Sequence, residues 1–254
     1  MLTGWLLLLL GSSESYGWAL FGELRDRGLD VEQSLAYRDL RELERDGLVT
    51  SRWTHSEAGP QRRSYRVTPK GREALADLAA TITAVWELHD AFVRAHQAAP
   101  RTNEDLSAEP DGTGPPPADG RDEEHPPDGD GEGAARQAPA GDDPAAVRPG
   151  RELLAAWLLL LLQSSVSYGY ELRQELDRRD IRIDPATLYR VLRKLERAGW
   201  LQSRWLAPAA GPRRRLYRVT PRGRRNLDEL VGLITRTRDT HGAFLRDYAA
   251  ADPM

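Results

Sequence analysis

The stretch DPATLYRVLRKLERAGWLQSRW, residues 184–205, carries most of the information about the fold. A helix is predicted to begin in it, because Asp184 is a helix-capping residue type and Pro185 suits a first helical turn. Leucines at helical spacing form the inner face, at Leu188, Leu192 and Leu195. The opposite face carries Thr187, Arg190, Arg193, Lys194 and Arg197. Gly199 is predicted to end the helix. The stretch therefore predicts a short amphipathic helix with a cationic outer face.

The segments on either side predict two further helices and a hairpin. Upstream, residues 152–162 are apolar almost all round, which is typical of a buried helix. A second helix is predicted over 168–179, with Ser167 as its N-cap. Downstream, residues 200–206 and 214–220 are predicted to form two strands around a turn rich in Pro and Gly.

A long helix is predicted to follow the hairpin, beginning at Pro221 and ending at about Tyr248. Its apolar residues recur on a seven-residue seam, at Leu227, Leu230, Ile234 and Phe244. Thr237 and His241 fill the remaining seam positions. Such a seam needs a partner helix to cover it.

The same module occurs twice in the chain. A shift of 152 positions superimposes residues 5–96 on residues 157–248 without a gap, and about half of the aligned positions are identical. We predict a first module over 1–96, a disordered linker over 97–150 and a second module over 151–250. The linker is rich in Pro, Gly and carboxylates, with a net charge of -9, against -2 for residues 1–96 and +8 for residues 151–254.

Composition argues against several classes of protein. The absence of cysteine excludes disulfides and thiolate sites. No phosphate-binding loop, nucleophile elbow or metal-ligand spacing occurs, so we expect no enzyme, no cofactor and no metal. The apolar run at residues 5–10 recurs at 157–162 and is too short to span a bilayer, so we expect no export signal, no membrane contact and a cytoplasmic protein. Thirty-four arginines against two lysines suggest a GC-rich bacterial genome.

The motifs LLLLL, SYGYEL, DPATLYRVLRKLERAGWLQSRW and GPRRRLYRVTPRGR, in this order, resemble the PadR family of transcriptional regulators. The resemblance covers residues 5–96 and 153–248. It implies a regulator that mostly represses, acts as a dimer and responds to small aromatic or drug-like ligands. It also implies that the third helix enters the major groove of DNA while the hairpin, called the wing, lies along the backbone.

Candidate DNA-binding residues follow from this geometry, because a helix in the major groove reads bases with its first exposed residues and holds phosphates further along. In the second copy they are Ala186, Thr187, Tyr189, Arg190, Arg193, Lys194, Arg213, Arg214 and Arg215. In the first copy they are Ser34, Tyr37, Arg38, Arg41, Arg62 and Arg63. Two alternatives stay open: Tyr189 packs against the second helix, and one arginine in each wing pairs with a carboxylate.

The first copy departs from the pattern in its recognition helix. Asp39 and Glu42 replace Val191 and Lys194, and both carboxylates are expected to be repelled by phosphate. The helix cap is also poorer, because Glu32 stands where the second copy has Asp184. We therefore expect the second copy to supply most of the DNA affinity.

The resemblance implies that aromatic residues lie near the dimer interface, where ligands stack, so Trp5, Trp86 and Trp157 are candidate ligand contacts. Tryptophan at helical spacing is, however, more often part of the core. His89 and His241 are equivalent seam residues and are expected to form a structural polar layer; the alternative is a pair that meets across the interface and titrates. The fold class predicted is mostly α with small β wings: two winged helix-turn-helix modules, each with a long C-terminal dimerisation helix, paired as a pseudo-dimer in a monomeric chain.

The function predicted is a sequence-specific regulator that binds a double-stranded DNA operator and is released by a small hydrophobic or aromatic ligand. The alternative is a ligand-sensing or protein-interaction module whose first copy no longer binds DNA.

Overall fold

The computed structural model describes residues 1–56, 59–99, 150–206 and 214–251. The first copy consists of α1 (Leu2–Ser12), β1 (Ser15–Tyr16), α2 (Gly17–Asp26), α3 (Gln33–Arg45), β2 (Val49–Ser56), β3 (Gly59–Val67) and α4 (Pro69–Ala98). The second consists of α5 (Arg151–Leu161), β4 (Ser167–Tyr168), α6 (Gly169–Asp177), α7 (Pro185–Arg197), β5 (Leu201–Leu206), β6 (Arg214–Val219) and α8 (Pro221–Ala250). Mostly helical copies with small antiparallel sheets confirm the predicted class, mostly α with small β wings. The pairing of the copies as a pseudo-dimer stays a prediction. Of the predicted linker, residues 100–149 lie outside the described residues, and α4 continues two residues into it, to Ala98.

Each copy has a three-stranded antiparallel sheet with the second hairpin strand in the middle, in the orders β1-β3-β2 and β4-β6-β5. The prediction of Ser167 as an N-cap was wrong. Ser167 and Tyr168 form the strand β4, paired with Tyr217 and Leu216, because the free edge of β6 offers backbone partners there. Helix α6 therefore begins at Gly169, and the Tyr168 amide donates to the Glu171 carboxylate at 2.9 Å.

The motif YRVTP starts the long helix of each copy. In the second copy the Thr220 hydroxyl donates to the Gly199 carbonyl at 2.7 Å and accepts from the Gly223 amide at 3.0 Å. A Cβ at Gly223 would lie 2.1 Å from the Trp200 carbonyl oxygen, so only glycine allows α8 to begin this close to the wing. Thr68 and Gly71 repeat the arrangement in the first copy.

The chain divides into two compact units that differ from the two copies. The first unit comprises Met1–Asp90 with Thr235–Met254, and the second comprises Ala91–Ile234. In the first unit the end of α8 packs on α1, where Phe244 meets the edge of Trp5 with ring centroids 5.3 Å apart. In the second unit the end of α4 packs on α5, where Phe92 meets Trp157, also at 5.3 Å.

Candidate nucleic-acid interface

Helix α7, the recognition helix of the second copy, begins and buries its inner face as predicted. The Asp184 carboxylate accepts from the Thr187 amide at 2.8 Å, and Pro185 occupies the first turn. Hydrogen bonds from Thr187 hold the pKa of Asp184 below its ordinary value. The buried residues are Leu188, Val191, Leu192 and Leu195. In α3 the Glu32 side chain makes no such cap, which confirms the poorer start of the first copy's helix.

The outer face of α7 is cationic. Arg190, Lys194 and Arg197 are exposed on it and Arg193 is half-buried, while Ala186 is exposed and Thr187 half-buried in the first turn. On α3 the exposed residues at the matching places are Ser34, Arg38, Arg41 and Glu42. Arg45 is paired with Asp46 at 3.2 Å. The first copy therefore presents a weaker cationic face.

The two carboxylates predicted to oppose phosphate in α3 lie in different surroundings. Glu42 is exposed beside the arginines, as expected. Asp39 is half-buried, at a position where Val191 of the second copy is buried. Glu42 is therefore the residue that changes the charge of the outer face, and Asp39 mainly changes the packing of the helix.

The recognition-helix tyrosines pack against the preceding helix. A Cβ at Gly169 would lie 2.6 Å from the ring of Tyr189, and one at Gly17 would lie 2.5 Å from the ring of Tyr37. The glycine at the start of α2 and of α6 therefore leaves the space in which the tyrosine ring packs against that helix. Both rings are half-buried, so they orient the recognition helix by this contact.

One arginine in each wing is tied to the recognition helix of its own copy, as the alternative reading proposed. Arg215 contacts Glu196 at 2.6 Å and donates to the Ser203 hydroxyl at 2.8 Å. Ser203 in turn donates to Glu196 at 2.6 Å. The group of Glu44, Ser51 and Arg63 repeats these contacts in the first copy. We call each group a wing brace, because it fixes the hairpin against the recognition helix.

The other wing arginines are placed differently. Arg62 is exposed on β3, opposite Thr54 of β2. Arg214 is half-buried, and its guanidinium lies over the rings of Tyr168 and Tyr170 at 5.9 and 5.8 Å. Arg213, also predicted to bind DNA, lies outside the described residues.

A carboxylate that the sequence analysis missed changes the charge of the first wing. Glu14 contacts Arg52 at 2.7 Å and Arg66 at 3.1 Å. Hydrogen bonds from Ser64 and Arg52 lower the pKa of Glu14, so the carboxylate stays ionised. The second copy has Val166 at the equivalent position. A single carboxylate that the second copy lacks thus pairs with two cations of the first wing and removes one unit of its positive charge.

Comparison with known proteins assigns the family. The model of the transcriptional regulator PadR-like family matches the chain twice, at residues 6–77 and 158–229. The chain belongs to the PadR-like family of transcriptional regulators. Both matches lie in the duplicated modules, so the tandem duplication is confirmed as two PadR-like modules.

Individual relatives of this PadR-like chain match between about a quarter and a third of its length. A transcriptional regulator of Mycobacterium tuberculosis is 45% identical over 62 residues, which are 24% of this chain and 57% of that protein. An uncharacterised protein of Lysinibacillus sphaericus is 35% identical over 77 residues, 29% of this chain and 71% of that one. A crystal structure of a PadR family transcriptional regulator from Eggerthella lenta is 34% identical, covers 36% of this chain and 80% of that chain, and has a TM-score of 0.34.

The three tryptophans predicted as ligand contacts of this PadR-like chain do not share one environment. Trp5 and Trp157 are core residues, each 2% exposed. Their indole N–H groups have no hydrogen-bond partner among the described residues. Trp86 is half-buried on α4, with its Nε1 atom 3.0 Å from a Cβ placed at Gly242.

Among the described residues, no helix is long and apolar enough to cross a membrane.

Proposed function

We propose that the chain is a sequence-specific DNA-binding repressor that acts in the cytoplasm as a monomeric pseudo-dimer. Each of its two copies contacts one half of a two-part operator. The observation that carries the proposal is the exposed cationic face of α7, formed by Arg190, Lys194 and Arg197, in a helix braced to its own wing. Helices of this kind place their first exposed residues on bases and their cations on phosphates.

The second copy supplies most of the affinity in this proposal. Phosphate contacts dominate the binding of proteins to DNA, and each contact adds roughly 0.9 to the slope of log affinity against log salt concentration. The second copy keeps Lys194 where the first has Glu42, and it lacks the carboxylate of Glu14 that pairs with Arg52 and Arg66. The first copy retains exposed Arg38 and Arg41, which support a weaker second contact.

Binding curves of single variants test the proposal. The DNA upstream of the native gene and its neighbours is the probe, and fluorescence anisotropy is measured at several salt concentrations. Arg190→Ala is expected to weaken binding more than Arg38→Ala, and each is expected to weaken it. Arg236→Ala, which removes an exposed arginine midway along α8, is the control and is expected to bind normally. Equal losses from the two recognition-helix variants would contradict the asymmetry.

A second candidate function has its own support. Glu42 and Glu14 both reduce the positive charge of the first copy, which favours an interaction or ligand-sensing module in which only the second copy binds DNA. The double variant Arg38→Ala with Arg41→Ala separates the two candidates. Unchanged affinity would favour this second function, whereas a measurable loss supports the two-part operator, since a second tethered contact raises avidity.

Release by a small hydrophobic or aromatic ligand completes the proposal. Trp86 is the best-placed of the three candidate indoles because it is half-buried, whereas Trp5 and Trp157 lie in the core. Since Arg238 stands at the position equivalent to Trp86, we expect one ligand per chain. Calorimetric titration with aromatic compounds measures the stoichiometry, and two equal sites would refute this part of the proposal.

A further inference from the structure

The two long helices contact each other around His89 and His241, within the unit formed by Met1–Asp90 and Thr235–Met254. His89 of α4 stacks on His241 of α8, with ring centroids 6.0 Å apart and planes 24° from parallel. These two residues are equivalent in the duplication, because their numbers differ by 152. Equivalent residues that face each other mark the centre of a pseudo-symmetric pair of helices.

Around this centre, the residues that would be identical in a symmetric pair are different. On one side Trp86 lies against Gly242, and a Cβ at Gly242 would be 3.0 Å from the indole Nε1. At this distance the indole of Trp86 would have to shift to accept even a methyl group at position 242. The position is a glycine in α8, and the equivalent position in α4 is Asp90. If α8 carried an aspartate at position 242, as α4 does at the equivalent position, its side chain would lie where the Trp86 indole now lies.

On the other side the same two positions carry opposite charges. Arg238, the equivalent of Trp86, has a guanidinium nitrogen 3.8 Å from a carboxylate oxygen of Asp90. The side chains of Arg238 and Asp90 are only 22% and 18% exposed, so solvent screens the pair incompletely. Arg238 is also held by Asp239 of its own helix, at 2.6 Å.

Pairing of two identical helices would lose both contacts. Two α4 helices in this geometry would set each Trp86 against the other helix's Asp90, which is larger than glycine and would lose its contact with Arg238 across the seam. Two α8 helices would set each Arg238 against Gly242, without Asp90 and with a gap where the indole now lies. The loss of a partly buried ion pair and an unfilled gap both destabilise such a contact between helices.

From these contacts we infer that α4 and α8 form a heterotypic seam, in which each long helix selects the other copy's helix and rejects a second copy of itself. The partner that fits α4 is a helix with glycine at the position facing Trp86 and arginine at the position facing Asp90. The inference concerns helix pairing, so it holds or fails independently of DNA binding.

An exchange of side chains between the two helices of the full chain tests the inference. One half-exchange is Trp86→Arg with Asp90→Gly, and the other is Arg238→Trp with Gly242→Asp. Each is expected to raise the equilibrium constant for unfolding in urea by roughly tenfold, in the range of measured coupling between contacting residues. The chain with all four changes regains both complementary contacts, in exchanged positions. Its unfolding constant is expected to return to within about threefold of the wild-type value.

The four-residue variant is its own control for helix propensity, because it removes one glycine from a helix and adds one to the other. If the four changes together cost as much as the two half-exchanges combined, roughly a hundredfold, the seam has no pairing preference and the inference is overturned.

A milder cycle decides the matter if a half-exchange prevents folding. In the wild-type chain, Gly242→Ala adds a methyl group against the indole; in a Trp86→Ala chain the methyl group has room. The change is therefore expected to raise the urea midpoint more in the Trp86→Ala chain than in the wild type. Equal shifts in both chains would count against the close fit on which the inference depends.

Discussion

A single exposed residue of α3 offers a gain-of-function test of the proposed DNA contact. Glu42 lies on the outer face of the first recognition helix, one turn beyond Arg38, and its equivalent in the second copy is Lys194. Both side chains are exposed. The change Glu42→Lys should therefore alter folding stability by no more than about 0.5 kcal/mol. It makes the first outer face resemble the second.

Because Glu42 is exposed, the change in binding free energy is worked out for charges that interact through water. A unit charge about 7 Å from a phosphate interacts with it by roughly 0.6 kcal/mol in a medium as polar as water. Replacing a repelled charge by an attracted one doubles this to about 1.2 kcal/mol, which corresponds to binding on the order of sevenfold tighter at low salt. A new phosphate contact also steepens the salt dependence by roughly 0.9.

Fluorescence anisotropy with the native operator at four or more salt concentrations measures both quantities. The matched variant is Lys194→Glu, which should weaken binding by a similar factor and flatten the salt dependence. Thermal melting followed by circular dichroism checks that both variants are folded. If Glu42→Lys leaves affinity and salt dependence unchanged while Lys194→Glu reduces both, α3 does not lie on the DNA backbone and the proposed two-part contact is refuted.

Three further predictions concern stability. Asp184→Ala should lower the free energy of unfolding by about 1 kcal/mol, whereas Glu32→Ala, which removes no cap hydrogen bond, should change it little; urea titration compares them. Burial lowers the pKa of His89 and His241 in the folded chain. At pH values below the ordinary histidine pKa of about 6.5, the unfolded chain therefore binds more protons than the folded chain. The free energy of unfolding should then fall from pH 7 to pH 5, and replacing both histidines by glutamine should flatten this slope; an unchanged slope would contradict it. Phe244→Ala should cost about 3–5 kcal/mol, because it removes a fully buried ring from the core around α1, and a loss below 1 kcal/mol would show that α8 does not pack there in solution.

Local signals predicted the recognition helix well. Its start depends on Asp184 and Pro185, and its end on Gly199, which adopts a positive φ of 72° just after the helix. Each of these residues acts on its neighbours in sequence, so no knowledge of the rest of the fold was needed. The duplication strengthened the prediction, because the weaker first copy could be interpreted through the second.

Contacts between distant segments were harder to predict. The strand β4 is two residues long and exists because β6 presents an open edge some 50 residues later, so its sequence resembled a helix cap. Glu14 binds arginines 38 and 52 residues away, and nothing in its own neighbourhood indicated those partners. The sequence predicted that one arginine in each wing pairs with a carboxylate, but not which arginine. The register of β5 and β6 is needed to identify Arg215 as the arginine that contacts Glu196.

Fusion of the two copies explains why such differences could accumulate. In a homodimer every substitution appears twice, so a change such as Gly242→Asp would alter both sides of the helix contact at once. In one chain the two sides vary separately: a tryptophan on α4 can be matched by a glycine on α8, and an arginine on α8 by an aspartate on α4. The same freedom applies to the outer faces, where Glu42 and Lys194 now differ. A protein with unequal recognition helices suits an operator with unequal halves, and a seam that prefers the other copy keeps the two unequal helices together in one assembly.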